Sequence, residues 1–354
     1  MFADIRRRAF QSFNYRLRSF AGGRWAAHCR PAWPILMLTE RCNAKCVHCD
    51  IWKNRGQEDS PTVEQWKRLL LDLRRWLGPV RVSFSGGEAM LKPYALDLAT
   101  HASSIGLLLE VLTHGYWFDQ SKIEALAQSR PWMVTISVDG IGDLHNKIRG
   151  RDKFWERTSA SIETLKSWRS KLGSRMRIRL KNVIMEQNLD GVCGVARFAT
   201  QDGMDVFYQP IEQNYNTAED PRWWEHSANW PREPERAVRA VLQLIEMKRK
   251  GFHIANSYAQ LDAMIPYFRD PEASRLSTTA HSAHERRIYC SALAGMQIQA
   301  NGDVTVCTAR PPVGNIKTAS IREVWMNRPR WWMSGCCLEQ RLTGSERELL
   351  VLPQ

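Results

Sequence analysis

An alternation between residues 34 and 210 limits the fold of this chain more than any other feature. Short apolar runs at 35–38, 80–84, 107–112, 133–138, 176–184 and 204–208 take turns with helical patterns at 62–77, 94–104, 121–128, 154–172 and 189–200. Apolar runs of that length read as buried strands, and the 3.6-residue patterns between them as amphipathic helices. Ser60 and Pro61 mark the start of the first long helix, as N-cap and first helical residue. Six strands separated by five helices predict an α/β chain with a parallel sheet and its helices outside. Right-handed crossovers curl such a sheet into a partial or closed barrel. Its functional loops lie at the carboxyl ends of the strands.

The flanking segments divide the chain further. Residues 1–33 read as a basic helical extension, with seven arginines and one acid, Asp4, in the first 30 positions. The barrel is expected over 34–210. A polar loop rich in tryptophan (Trp223, Trp224, Trp230) reads as a lid, and with connecting helices near 233–250 and 257–268 it fills 211–287. Residues 288–354 hold a hairpin turning at Asn301-Gly302-Asp303 and a short helix over 321–326. No apolar run approaches the roughly 18 residues of a membrane span, and the N-terminus has neither the apolar core nor the cleavage site of a secretory signal. The expected compartment is the cytoplasm. The net charge of +13 fits solubility with a basic pocket for an anionic ligand, and also RNA or an acidic lipid surface.

Nine cysteines are present, and Cys42, Cys46 and Cys49 fall within eight residues directly after the first strand. Clustering in a long chain points to a metal site rather than a disulfide framework. A lone C-x3-C-x2-C lacks the paired knuckles of a zinc ribbon. A cubane [4Fe–4S] cluster takes four thiolates, so three predict one open iron.

This loop resembles that of the radical S-adenosylmethionine (SAM) superfamily, where an aromatic residue precedes the last cysteine and His48 stands here. The resemblance implies a partial (β/α)6 TIM-like barrel and a [4Fe–4S] cluster whose open iron is chelated by SAM. Reductive cleavage of SAM then yields a 5′-deoxyadenosyl radical that abstracts hydrogen from a substrate. Other motifs agree in register. Ser85-Gly86-Gly87-Glu88 ends the second strand and resembles the element that receives the SAM amino group. Ser137-Val138-Asp139-Gly140 ends the fourth, with Ser137 implied to contact SAM and Asp139 to brace the loop or approach the ribose. Arg149 is the implied partner of the SAM carboxylate, and Asn188 fixes the loop after the fifth strand. His114 stands where relatives commonly carry asparagine.

The hairpin with Cys290 and Cys307, followed by Val313-Gly-Asn-Ile316 and 320–325, resembles the opening of the SPASM and twitch iron–sulfur domains. With Cys336 and Cys337 it offers four cysteines, which fits the shorter, α+β twitch form and one auxiliary [4Fe–4S] cluster, held either by three thiolates with one of Cys336 and Cys337 or by four with both. Cys29 and Cys193 read as structural. The resemblance implies a low-potential electron donor of flavodoxin or ferredoxin type. It leaves the substrate open: a peptide or a small natural product of sugar or nucleoside kind, undergoing oxidation, epimerisation or crosslinking, with His114, Asn214 and Tyr215 as pocket residues. RNA modification and a lipid-directed reaction, docked by the N-terminal helix, are the alternatives.

Overall fold

The computed structural model describes residues 28–330 apart from 56–57, 219, 221, 272–290 and 308–309, together with positions 9, 13 and 17. Cys290, Cys336 and Cys337, and most of the expected N-terminal helix, lie outside the described residues. The strands are β1 (Trp33–Thr39), β2 (Arg81–Gly86), β3 (Leu108–Thr113), β4 (Met133–Ser137), β5 (Arg177–Ile184), β6 (Asp205–Pro210), β7 (Gly295–Ile298), β8 (Asp303–Thr305) and β9 (Gly314–Asn315). The helices are α1 (Val63–Leu77), α2 (Ala95–Ser104), α3 (Ser121–Gln128), α4 (Asp143–Arg149), α5 (Phe154–Lys171), α6 (Val192–Gln201), α7 (Trp223–His226), α8 (Pro234–Arg249), α9 (Tyr258–Arg269) and α10 (Ile321–Met326). Two compact units are formed, neither contiguous in sequence. One comprises Met1–Glu40, Gly56–Glu110 and Thr279–Gln354, the other Arg41–Arg55 and Val111–Thr278. Strand β3 passes from the first into the second.

In the first unit β1 pairs in parallel with β2, Leu36 opposite Phe84, and on its other edge in parallel with β7, Leu36 opposite Ile298. Strands β7, β8 and β9 continue antiparallel. The expected hairpin therefore also supplies sheet strands beside β1. Helix α1 buries Trp66, Leu69, Leu70, Leu73 and Leu77 at the three- and four-residue spacing of one helix face. Its cap is not Ser60 but Thr62, whose side chain accepts from the Gln65 N–H while the Gln65 side chain accepts from the Thr62 N–H. That reciprocal pair satisfies two of the amide groups a helix start leaves open, and Ser60 instead accepts from Lys92 Nζ. Cys29 is buried, and its carbonyl accepts from Trp325 Nε1 at 2.9 Å.

In the second unit β4, β5 and β6 run parallel. Alternation divides β5 cleanly: Ile178, Leu180, Asn182 and Ile184 are buried, while Arg177, Arg179, Lys181 and Val183 lie on the other, less buried face. Asp205 on β6 forms ion pairs with both Arg177 and Arg179. Register places Ser137, Lys181 and Phe207 side by side across the three strands. Trp223 and Trp230 meet edge to face at 5.5 Å, and Trp230 meets Tyr267 at 5.4 Å. The tryptophan-rich loop is thus anchored by ring packing on α9. Cys193 is half-buried on α6, its thiol 3.4 Å from Gln243 Oε1.

Candidate active site

The three-cysteine loop belongs to the second unit and is tied down from several sides. Cys46 is buried, and Cys42 and Cys49 pack against the cluster it forms with Ala44, Tyr116 and Phe154. Helix α4 closes at Gly150, and the carbonyls its last turn leaves open are taken by the loop. Lys45 N–H donates to Arg149 O and Val47 N–H to Ile148 O, each at 3.0 Å. Gly150 has φ +66°, and a Cβ there would stand 2.2 Å from Lys45 O. Gly150→Ala is therefore expected to cost at least about 2 kcal/mol from left-handed strain and backbone overlap, measurable by urea unfolding. A change below about 0.5 kcal/mol, the range of an ordinary surface substitution, would refute the contact.

The segment after β6 holds the loop by amide side chains. Asn229 Nδ2 donates to Val47 O at 3.0 Å, Asn214 Nδ2 to the same carbonyl at 3.2 Å, and Asn216 Nδ2 to Asn54 Oδ1 at 3.0 Å. Asp50 N–H donates to Tyr215 O, and Cys49 and Tyr215 form a parallel bridge. Asn214 and Tyr215 thus meet the cysteine loop itself. Asn229, Asn216 and Asn43 were not among the residues the sequence singled out. Their bonds reach across the chain to distant backbone and side-chain groups and leave no local periodicity to read.

His114 pins the same loop. Tyr116 N–H donates to its Nδ1 at 2.9 Å, so the proton of the neutral ring sits on Nε2, 2.8 Å from Asn43 Oδ1. Burial, with help from Arg149, lowers the His114 pKa to about 3. His145, whose Nδ1 accepts from Asp139 N–H, is likewise lowered to about 3 by burial and then Arg149. Both rings stay neutral when folded, and each takes up a proton on unfolding below the ordinary value of about 6.5. The unfolded chain then binds more protons, so stability rises with pH. This contribution is complete above about pH 6.5 and is lost as pH falls toward 3, by up to about 2.7 kcal/mol per pH unit for the pair. Urea midpoints at pH 7.5, 6 and 5 check this; a flat profile would contradict it.

Beneath the loop lies a buried ion pair. Asp139 is fully buried and Arg149 nearly so, with Arg149 Nη2 2.6 Å from Asp139 Oδ2 and Arg149 Nη1 3.5 Å from Cys46 Sγ. Asp139 Oδ1 accepts from Val183 N–H at 2.9 Å. Burial opposes ionisation of Asp139 most strongly, but Arg149, His48, His145 and the Val183 N–H together outweigh it and hold the carboxyl below its usual range. Asn188 completes the brace, with Nδ2 donating to Asp139 O and Val183 O and Oδ1 accepting from Met185 N–H. Burial pushes the Cys46 thiol up, and the Cys49 thiol to about 11. His48 is lowered to about 4, chiefly by burial.

In the first unit Gly86 has φ +120°, and a Cβ there would lie 2.1 Å from Thr39 O. Gly87 N–H donates to that carbonyl at 2.8 Å, so only a glycine lets the two strand ends meet. Glu88 is buried and caps the 3-10 turn Ala89–Leu91, its Oε1 accepting from Met90 N–H at 3.2 Å. Cys307 is buried at the end of the hairpin.

The thiol loop suits an iron–sulfur cluster. A guanidinium stands beside Cys46 to offset thiolate charge, and His48 Nδ1 and Arg149 Nε are buried without a hydrogen-bond partner among the described residues. Among the described residues no three His, Cys, Asp or Glu side chains are gathered closely enough to hold a single metal ion. Thiols on separate irons of a cluster stand further apart than the ligands of one zinc.

Comparison with known proteins agrees. Residues 36–171 match the family model of the radical SAM superfamily, and residues 290–340 that of SPASM, an iron–sulfur cluster-binding domain. The chain is 26% identical over 346 residues to pre-heme d1 synthase of Dinoroseobacter shibae, covering 90% of this chain and 82% of that protein. It is also 26% identical over 172 residues to the sporulation killing factor maturation protein SkfB of Bacillus subtilis, covering 49% and 40% of the two chains. The crystal structure of Streptococcus suis SuiB bound to S-adenosylmethionine superposes with a TM-score of 0.61 at 18% identity, over 85% of this chain and 67% of that one. That likeness shows the α/β fold with its parallel strands. The cysteine loop, the glycine-rich turn and the cluster-binding hairpin thus have one source: the chain belongs to the radical SAM superfamily, in its SPASM/twitch group, and is a [4Fe–4S]- and SAM-dependent enzyme with auxiliary iron–sulfur binding.

Proposed function

We propose that this enzyme abstracts hydrogen from a heme-related, carboxylate-bearing tetrapyrrole. The observation that carries this reading is the extent of likeness. Pre-heme d1 synthase matches over most of both chains, whereas the peptide-maturing SkfB matches over less than half of either.

In this reading Cys42, Cys46 and Cys49 hold the SAM-binding cluster, and Cys290, Cys307, Cys336 and Cys337 supply the ligands of the auxiliary one. His48, Gly86, Gly87, Glu88 and Ser137 bind SAM. Asp139 and Asn188 fix the strand ends, and Arg149 compensates thiolate charge instead of meeting the SAM carboxylate. When bound and reduced, the cluster and SAM supply a 5′-deoxyadenosyl radical. The chain's own part is to anchor the loop, through α4 and the asparagines, and to keep buried charges paired. The electron comes from a low-potential carrier, and the reaction belongs in the cytoplasm. Among the described residues no helix is long and apolar enough to cross a membrane. The basic N-terminal helix on which a lipid-directed reading rests lies mostly outside the described residues.

Anaerobic reconstitution with SAM and dithionite tests the substrate. Iron coproporphyrin is expected to raise 5′-deoxyadenosine formation above the substrate-free background, with deuterium passing from labelled substrate into the product. Stimulation by a peptide or by RNA, and none by iron porphyrins, would overturn the reading.

A further inference from the structure

Glu58 stands, in sequence, in a polar stretch between the three-cysteine loop and α1 and belongs to none of the motifs above. Its side chain is nevertheless only 12% exposed, and both carboxylate oxygens are engaged. Oε1 accepts from Thr39 Oγ1 at 2.6 Å and from Glu40 N–H. Oε2 lies 2.6 Å from Lys92 Nζ, itself 17% exposed, and Lys92 Nζ also donates to Ser60 Oγ at 2.9 Å. Burial opposes ionisation of Glu58, but Lys92, Thr39 and the Glu40 N–H outweigh it and hold the carboxyl below its usual range.

These partners flank the glycine turn that ends β2. Thr39 is opposite Gly86 in register, its carbonyl accepts from Gly87 N–H at 2.8 Å, and it leaves no room for a Cβ at Gly86. Lys92 closes the 3-10 turn capped by Glu88, its N–H donating to Ala89 O at 3.2 Å, and its carbonyl accepts from Ala95 N–H at the start of α2. The Ser85–Glu88 turn is thus bounded by Thr39 on one side and Lys92 on the other, and one carboxylate ties the two together. Glycines bring neither side-chain packing nor a restricted backbone, so the shape of such a turn has to be imposed by contacts outside it. All of these residues belong to the first unit.

We propose that Glu58 is a positioning residue for SAM, holding the end of β1 and Lys92 at once so that the Ser85–Glu88 turn keeps the shape that receives the SAM amino group. This rests on the assignment of that turn to SAM above, not on the substrate. Glu58 acts through Thr39 and Lys92. Its loss would release the end of β1 and would leave the Lys92 ammonium without its counter-charge, four residues after the glutamate of the turn.

The test uses the reconstituted full chain and the variants Glu58→Ala, Glu58→Gln and Lys92→Met. Three quantities are read: SAM affinity by equilibrium dialysis, KM and kcat for SAM cleavage with dithionite, and amide hydrogen exchange of the 85–92 segment without SAM. Glu58→Ala is expected to weaken SAM binding and raise its KM by about 5- to 30-fold, with kcat at saturating SAM within about threefold of the parent. Exchange at 85–92 should quicken by about 10-fold while α1 keeps its protection. Glu58→Gln, whose amide oxygen can still accept from Thr39 and Glu40, should recover part of the loss. If Glu58→Ala does not fold, Glu58→Gln and Lys92→Met carry the test, each expected to weaken SAM binding in the same direction. Asp59→Asn is the control. Its side chain is 87% exposed and paired with Lys317 at 2.6 Å, and its SAM affinity should equal the parent's. Glu88→Gln separates the proposal from the assignment beneath it. Weakened SAM binding in Glu88→Gln beside parent-like binding in the Glu58 variants would overturn the brace alone. Parent-like binding in all of them would overturn the SAM assignment of the turn as well. A fall in kcat with unchanged KM and unchanged exchange at 85–92 would also overturn the proposal.

Discussion

Asp139→Asn is expected to destabilise the protein by about 3–5 kcal/mol, the range for breaking a buried pair from one side. The Arg149 guanidinium would remain buried beside Cys46 with its counter-charge gone, and the amide would still have to satisfy Val183 N–H. If the cost comes from the stranded charge, the double variant Asp139→Asn/Arg149→Met should recover a large part of it, since apolar replacement of a whole pair is far cheaper than removal of one partner. Urea unfolding of the parent, both single variants and the double variant closes the cycle. Additive losses would show that the two residues do not act as a pair. The sign with acid follows from the same contact. Arg149, with His48, His145 and the Val183 N–H, holds the folded Asp139 carboxyl below its unfolded value near 3.9 against the opposing effect of burial. Its contribution is present above about pH 4 and is lost as pH falls through the lower folded value.

The second large effect is catalytic. Cys46→Ala is expected to reduce 5′-deoxyadenosine formation to the background of protein-free controls and to remove about four irons per chain. Cys307→Ala should remove the auxiliary set and leave the three-cysteine loop loaded. Iron counting with parallel product assays on both variants separates the two sites. Full SAM cleavage in Cys46→Ala would refute the ligand assignment. An unchanged melting curve in the metal-free Cys46→Ala protein would further show that the α4 and asparagine contacts hold the loop without the inorganic group.

Much of this framework was legible from residue order alone. The six barrel strands fall within two residues of the apolar runs at either end, because strands buried on one or both faces leave continuous or alternating apolar text. Helices α1, α2, α3, α5, α6, α8 and α9 carry the amphipathic spacing that marks them. Helix α4 does not. Its seven residues stand between Gly142 and Gly150, too short for a repeat, and its task is to offer carbonyls to the cysteine loop. The start of α1 was displaced because Ser60-Pro61 is a good entry signal by composition, while the capping box at Thr62 and Gln65 satisfies more amide groups.

At the site, chemistry-bearing residues were readable because function restricts their type and spacing. The brace was not. Asn43, Asn216, Asn229 and His145 act through bonds that span 6 to 182 positions, and an amide side chain looks the same in text whether it faces water or a distant carbonyl. His114 shows the converse. A histidine at a strand end invites a catalytic reading, yet its two ring nitrogens are engaged by Tyr116 and Asn43.

The discontinuous first unit also bears on the order in which the chain assembles during synthesis. Strand β1 has β2 for one neighbour but must wait for residues 295–298 to obtain the other, and Trp325 reaches back to Cys29 across 296 positions. The second unit needs nothing beyond residue 278. A nascent chain therefore completes the surroundings of its three-cysteine loop before the first unit can close. Contacts of such long separation are slow to form, and domains tend to fold in the order of their emergence. The interval leaves the socket standing while the rest of the protein is still being made.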